Sequence, residues 1–253
     1  MDLDYWDGLA DYFEAEVFDV LKNDQENIVV KMLDKYGAKE KKASDIGCGI
    51  GNFLPELSSR FKDVLAVDFS SKCIARAEAE CSHLSNVSYM VADLAAREVQ
   101  LPEVDFALSV NSVITPVMTD RNNMLDVICS HLHNGGHLIL VVPSLESVLL
   151  ADFRLIEWNL KNGMSSESAV QTCLQIQKQT DNPRLCEGVV LMNDVETKHY
   201  LKEELIILLQ KRGMQTIEIE KIEYPWKTEY IRAPRWMKDP LPWDWLCVAR
   251  KEN

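Results

Sequence analysis

Apolar positions recur at helical spacing through the first 37 residues. Leu9, Phe13, Val17, Val20 and Leu21 mark one helix; Ile28, Val29, Met32, Leu33 and Tyr36 mark a second, which Asn23 or Asp24 would cap and Gly37 would end. From about residue 43 to 143 the pattern alternates between short apolar runs and helical stripes. Ala43–Gly47 is a strand entering a Gly-rich turn, followed by a helix carrying Phe53, Leu54, Leu57 and Phe61. Val64–Val67 is a strand ending at Asp68, Lys72–His83 a helix, Val87–Ala92 a strand ending at Asp93, and Val104–Val110 a strand ending at Asn111. Met124, Ile128 and Leu132 mark the next helix, closed by Gly135-Gly136, and His137–Val142 is a central strand. Uninterrupted apolar strands separated by helices mean parallel strands covered on both faces, an α/β doubly wound sheet.

The remainder is less regular. Ser144 to about Thr180 reads as helix, so residues 144–200 are expected to be a helical insertion. Leu201–Arg212 is an amphipathic helix ending at Gly213; Thr216–Tyr224 and Trp245–Arg250 are two strands joined by a loop rich in Pro and Trp. The expected organisation of 1–253 is one domain: a helical cap over 1–37, a ligand-binding core over 43–143, the insertion, and a last helix and strand pair over 201–253.

Composition narrows the function classes. With 47% hydrophobic residues the chain can bury a core without disulfides or metals. A formal net charge of −13 repels phosphates, so neither nucleic acid nor an anionic membrane surface is an expected partner. Seven scattered cysteines with no CxxC pair suggest reduced thiols rather than a disulfide framework or a zinc site. The start, Met1-Asp2-Leu3-Asp4, is acidic and lacks the apolar stretch of a signal peptide, and no apolar run approaches the roughly 20 residues a membrane span needs. A cytoplasmic protein is expected. His131, His133, His137 and His199 lack regular spacing and are expected in surface or capping roles, with no metal.

The chemistry concentrates at Asp45-Ile46-Gly47-Cys48-Gly49-Ile50-Gly51, which closes the first strand and opens a helix. Glycines let the backbone turn sharply and approach a ligand that any Cβ would obstruct. Asp68 and Asp93 end the next two strands, so in a parallel sheet all three carboxylates share the ligand-binding edge. Asp68, about 20 residues beyond the glycines, suits a ribose diol; Phe69 could cover an adenine face, Asp93 accept from the adenine amino group, and Asp45 hold an ammonium. The turn lacks the third glycine that a nicotinamide-binding GxGxxG requires.

Asp45–Phe53 (DIGCGIGNF), Val67–Ser71 (VDFSS) with Ala75 and Ala77, Ala92-Asp93-Leu94 and Gly135–Pro143 (GGHLILVVP) resemble the ordered motifs of class I S-adenosylmethionine-dependent methyltransferases; Lys198–Gly213 resembles the helix before that family's final strands. The resemblance implies a mostly parallel seven-stranded sheet whose last strand is antiparallel. It implies S-adenosylmethionine as cofactor and S-adenosylhomocysteine as product. Carried onto this chain, it puts Gly47, Cys48, Gly49 and Gly51 along the cofactor, Asp68 at the ribose, Asp93 and Leu94 at the adenine, and Asn111 near the methionine part and the reacting methyl. Cys48 reads as packing, not catalysis.

Methyl transfer needs alignment and exclusion of water more than a fixed catalytic triad, so no base is demanded of the sequence. Asn111, Glu146 and Tyr12 are the candidates for a catalytic role. Tyr5, Trp6, Tyr12 and Phe13 either close over the cofactor or form a helix packing face; Glu146 either meets an amine or favours a helix start. Trp226, Tyr230 and Trp236 in the C-terminal loop either wall the acceptor pocket or cover the sheet edge, with Glu223 or Glu229 as possible counter-charges. The reading is a small-molecule methyltransferase, a nitrogen acceptor being favoured. A protein or peptide methyltransferase and an inactive cofactor-binding partner subunit remain as alternatives. Oligomeric state is open.

Overall fold

A computed structural model describes residues 3–96, 99–178, 183–192 and 195–252. The elements run α1 (Leu3–Leu9), α2 (Phe13–Glu16), α3 (Val20–Asn23), α4 (Ile28–Tyr36), β1 (Lys42–Ile46), α5 (Leu54–Ser58), β2 (Asp63–Asp68), α6 (Ser71–Glu80), β3 (Val87–Val91), β4 (Val104–Val110), α7 (Met118–Ser130), β5 (Leu132–Pro143), α8 (Leu145–Lys161), α9 (Ser166–Lys178), β6 (Val189–Met192), β7 (Val195–Lys198), α10 (Lys202–Gln210), β8 (Met214–Glu223) and β9 (Trp243–Lys251). The main sheet has seven strands in the order β3-β2-β1-β4-β5-β9-β8. β1 to β5 pair in parallel, and β9 inserts antiparallel between β5 and β8. This is the expected doubly wound sheet, with its topological switch point between β1 and β4.

Alternation along the strands divides the core. Ala43, Ala66, Phe106, Leu108, Val141, Leu246 and Val248 face one cluster, which α4 and α5 cover with Val29, Leu33, Leu54 and Leu57. Ile46, Val67, Ala107, Leu138, Leu140, Trp245 and Cys247 face the other, covered by Leu125 and Ile128 of α7 and Leu205 and Leu209 of α10. Among the described residues no helix is long and apolar enough to cross a membrane.

Several expectations are corrected. The first N-terminal helix is broken: Val17 is extended and Asp19 starts α3 by accepting the Lys22 amide. Asp24 does serve α4, its Oδ2 accepting the Val29 amide at 2.9 Å, although the residue preceding the helix is Asn27. Leu132 opens β5 instead of closing a helix, and Gly135-Gly136 lie inside β5, where the pairing with β4 slips between Val104↔Leu132 and Phe106↔His137. Among the described residues the insertion is helical over Leu145–Lys161 and Ser166–Lys178, with a 3-10 turn over Pro183–Glu187, and the helix end expected near Thr180 lies outside the described residues. It closes with the antiparallel pair β6–β7, whose Val189, Val190, Val195 and Thr197 are β-branched residues that favour an extended backbone. His131 and His199 are not at the surface. Burial pushes each imidazole down to about 4, His131 bonding Ser44 Oγ and His199 the Thr197 carbonyl.

Candidate active site

The carboxyl-terminal ends of β1, β2 and β4 open on a cavity of about 400 Å³, within the size range of small-ligand sites. Asp45, Gly47, Cys48, Gly49, Asp68, Phe69, Asp93, Leu94 and Asn111 all line it. Nine of the ten residues assigned from sequence to a cofactor are thus brought together. The tenth, Gly51, does not reach the cavity. A Cβ there would sit 2.8 Å from Leu54 Cδ1 and 3.2 Å from Ala77 Cβ, so Gly51 lets the turn pack on α5 and α6.

Two glycines shape the floor. Gly47 and Gly49 have φ of +71° and +53°, which a side chain strains, and a Cβ would lie 2.3 Å from Ser112 Cβ and 2.6 Å from Phe13 Cζ respectively. Phe13 therefore lies directly on Gly49. The N-terminal segment is held there by Arg76 of α6, which donates to the Ala10 carbonyl at 2.6 Å and pairs with Glu14, and by Ser70 Oγ, which bonds Asp7. Gly49→Ala should add about 1–2 kcal/mol of backbone strain and push Phe13 away. The expected result is a lower melting temperature and faster proteolysis before residue 20. An unchanged melting curve and cleavage pattern would refute this packing.

Two buried carboxyls dominate the electrostatics of the cavity. Asp45 is buried and its Oδ2 has no partner. Burial, with Asp68's charge adding to it, pushes the Asp45 carboxyl up to about 7. Asp68 is raised by burial too, although it accepts the Gly49 amide on Oδ2 and the Ser70 amide on Oδ1, each at 2.9 Å. The Cys48 thiol is pushed far up, mainly by burial, which keeps it protonated at neutral pH. Asp93 Oδ1 accepts the Ala95 amide. Among the described residues no three His, Cys, Asp or Glu are grouped to hold a metal ion.

Other sequence candidates lie elsewhere. Tyr12 is exposed, and its ring is not in the cavity wall. Glu146 is committed to structure: Oε2 accepts from Ser144 Oγ and Trp245 Nε1, and Oε1 accepts the Lys202 amide. Trp226 and Tyr230 stack at 6.0 Å and pack on α8, Trp226 Nε1 donating to the Lys238 carbonyl and Tyr230 to the Ala151 carbonyl. Trp236 lies over Lys161 and Arg154 of the same helix. Of the N-terminal aromatics, Trp6 and Phe13 do line the cavity. The sequence reading missed Phe18, Asp19, Asn52 and Ser112, which also line it. The break at Val17–Asp19 that delivers the first two was hidden by apolar spacing that mimics one continuous helix.

Known proteins share this fold. Residues 43–136 match the family model for a methyltransferase domain. The phosphoethanolamine N-methyltransferase of Triticum aestivum is 26% identical over 112 residues, 44% of this chain and 22% of that protein. That of Arabidopsis thaliana is 26% identical over 93 residues, so the chain spans only about a fifth of the length of these curated relatives. Two solved structures share the fold. A methyltransferase from Methanosarcina mazei has 18% identity and a TM-score of 0.63, covering 87% of this chain and 97% of its own. The N-methyltransferase NodS from Bradyrhizobium japonicum WM9, solved with S-adenosylhomocysteine, has 13% identity and a TM-score of 0.62, covering 99% and 98%. Residues 43–136 thus carry a methyltransferase domain, and the sheet order around it is that of the class I S-adenosylmethionine-dependent methyltransferase fold.

Proposed function

We propose that the protein binds S-adenosylmethionine and methylates a small molecule at nitrogen. The observation that carries this is the unpartnered, buried Asp45 Oδ2 beside Asp68 in a cavity floored by two left-handed glycines. A buried carboxylate without a cation is costly, and a ligand bearing an ammonium and a sulfonium would relieve it. Asp45 would take the ammonium and Asp68 the ribose diol. Phe69 and Leu94 would flank the adenine, Asp93 would accept its amino group, and Asn111 would border the methyl. When bound, the cofactor supplies an activated methyl group, which the acceptor's lone pair takes as the C–S electron pair returns to sulfur. The chain's part is to orient both reactants and keep water out. Phe13 over Gly49 and Phe18 against Tyr224 cover the cavity from the N-terminal side, which favours a small acceptor over a peptide. The names of the Triticum and Bradyrhizobium proteins support nitrogen as the acceptor atom. The seven free cysteines suit a reducing cytoplasm.

Titration calorimetry should detect S-adenosylmethionine and S-adenosylhomocysteine and no NAD. Because Asp45 ionises only as pH rises through about 7, affinity for the ammonium-bearing cofactor should climb by up to about tenfold between roughly pH 6 and pH 8. In the free protein the sign is opposite. A carboxyl raised above its ordinary range holds a proton that the unfolded chain has lost, so this group costs stability as pH rises towards 7. NAD binding without S-adenosylhomocysteine binding would overturn the proposal.

A further inference from the structure

Three strand ends meet beside the cavity: Asn111 after β4, Tyr224 after β8 and Asp244, the second residue of β9, where it pairs with Pro143. Tyr224 Oη donates to Asp244 Oδ2 at 2.9 Å, and Asn111 Nδ2 donates to the same oxygen at 3.3 Å. We propose that Asp244, supported by Tyr224, is the positioning residue of the acceptor end: it locks the Asn111 carboxamide so that the cavity reads an N–H donor, which selects a positively charged amine. This rests on the methyltransferase reading above and names its substrate class.

The orientation follows from what each group can do. An ionised carboxylate only accepts, so it fixes the NH2 end of the amide towards itself. Asn111 is held from the backbone side as well, with φ of +49° and its amide bonded to the Val141 carbonyl at 2.9 Å. What remains is Oδ1, a buried acceptor with no partner, on a side chain that lines the cavity. An unmade hydrogen bond at a buried acceptor calls for a donor that carries no competing acceptor at that point. An ammonium supplies N–H there with no lone pair to compete, and its nitrogen takes the methyl only after one proton has left to solvent and freed the lone pair.

Charge points the same way. Asp244 is nine-tenths buried, yet among the described residues no Lys, Arg or His is within ion-pair distance of it. Its titratable neighbours are Tyr224 and Glu229, and Asp24 approaches Tyr224 from the N-terminal side. All are acidic. Burial pushes both Asp244 and Glu229 up to about 6, so both carry charge at neutral pH. The ring of Phe18, itself part of the cavity wall, meets Tyr224 edge-on at 4.8 Å, so the acidic group lies immediately behind that wall. A cationic amine beside Asn111 would be drawn to this field; an alcohol would not.

The experiment compares matched probes on the protein saturated with S-adenosylhomocysteine: ethanolamine against ethylene glycol, and phenethylamine against 2-phenylethanol, by calorimetry from pH 5 to 8. Wild type should prefer the amine of each pair by at least about tenfold at pH 7.5, the preference falling as pH drops through about 6. Asp244→Asn should bring the ratio near one and remove the pH dependence, with S-adenosylhomocysteine affinity within twofold of wild type. Tyr224→Phe, the milder change, should keep the preference but move its midpoint to higher pH, since the carboxylate loses a donor. Equal binding of amine and alcohol by wild type, no binding of either amine, or an unchanged preference in Asp244→Asn would overturn the proposal. Failure of wild type to bind S-adenosylhomocysteine would instead sink the methyltransferase reading itself.

Discussion

Asp68→Ala should reduce S-adenosylhomocysteine affinity by two to four orders of magnitude. Asp68 already accepts the Gly49 amide on one oxygen and the Ser70 amide on the other. Each carboxylate oxygen has a second lone pair, so both can still face a ribose diol. Two charge-assisted hydrogen bonds of about 1.5–3 kcal/mol each make about 3–6 kcal/mol, or a factor of roughly 10² to 10⁴ in affinity. The alanine also leaves the Gly49 amide without its acceptor and slackens the turn that forms the floor. Calorimetry on the variant decides the matter, with circular dichroism to confirm folding. Affinity within threefold of wild type would remove Asp68 from the site.

The glycine-and-carboxylate edge of the cavity was readable because its signals are local. A strand, a Gly-rich turn and a carboxylate at the end of each following strand appear in chain order, and parallel pairing then gathers them at one edge. Even so, the three glycines looked equivalent, and only packing separates Gly51, against Leu54 and Ala77, from the two that face the cavity. The proposed acceptor side depends on contacts distant in sequence. Asn111 meets Asp244 across 133 residues, and no spacing rule links them. One clue was available: β9 reads Trp-Asp-Trp-Leu-Cys-Val, and Asp244 falls on the same face as Leu246 and Val248. A carboxylate in register with core residues of a central strand is a buried charge in search of a partner. The aromatic loop misled for the opposite reason. Tryptophans look like pocket walls in a sequence, but here α8, a helix more than 60 residues earlier in the chain, supplies a surface for them to cover.

Trp226→Ala should lower stability by about 3–5 kcal/mol, as truncating a buried large aromatic does. Trp226 is 3% exposed, stacks on Tyr230 and packs with Ala151 and Met237. Removing the indole leaves a void and strips the Lys238 carbonyl of its donor. For a chain of this size that corresponds to a fall in melting temperature of roughly 6–20 °C. Affinity for S-adenosylhomocysteine, measured below the new transition, should stay near wild type, because Trp226 is absent from the cavity wall. A variant that melts normally but loses turnover would restore the loop to the acceptor pocket.

The position of β9 has a consequence for how the molecule is made. It is the last of the seven sheet strands to leave the ribosome, yet it sits between β5 and β8, which are already synthesised. Until it arrives, β5 has an open edge and β8 has no neighbour in the sheet, a state exposed to mispairing with other chains. The parallel half, β1 to β5, can assemble during translation, but Asp244 enters only with the closing strand. On the proposed reading, a nascent chain would form the cofactor-facing edge before Asp244 reached Asn111, and the acceptor end would be completed in the same step that seals the sheet.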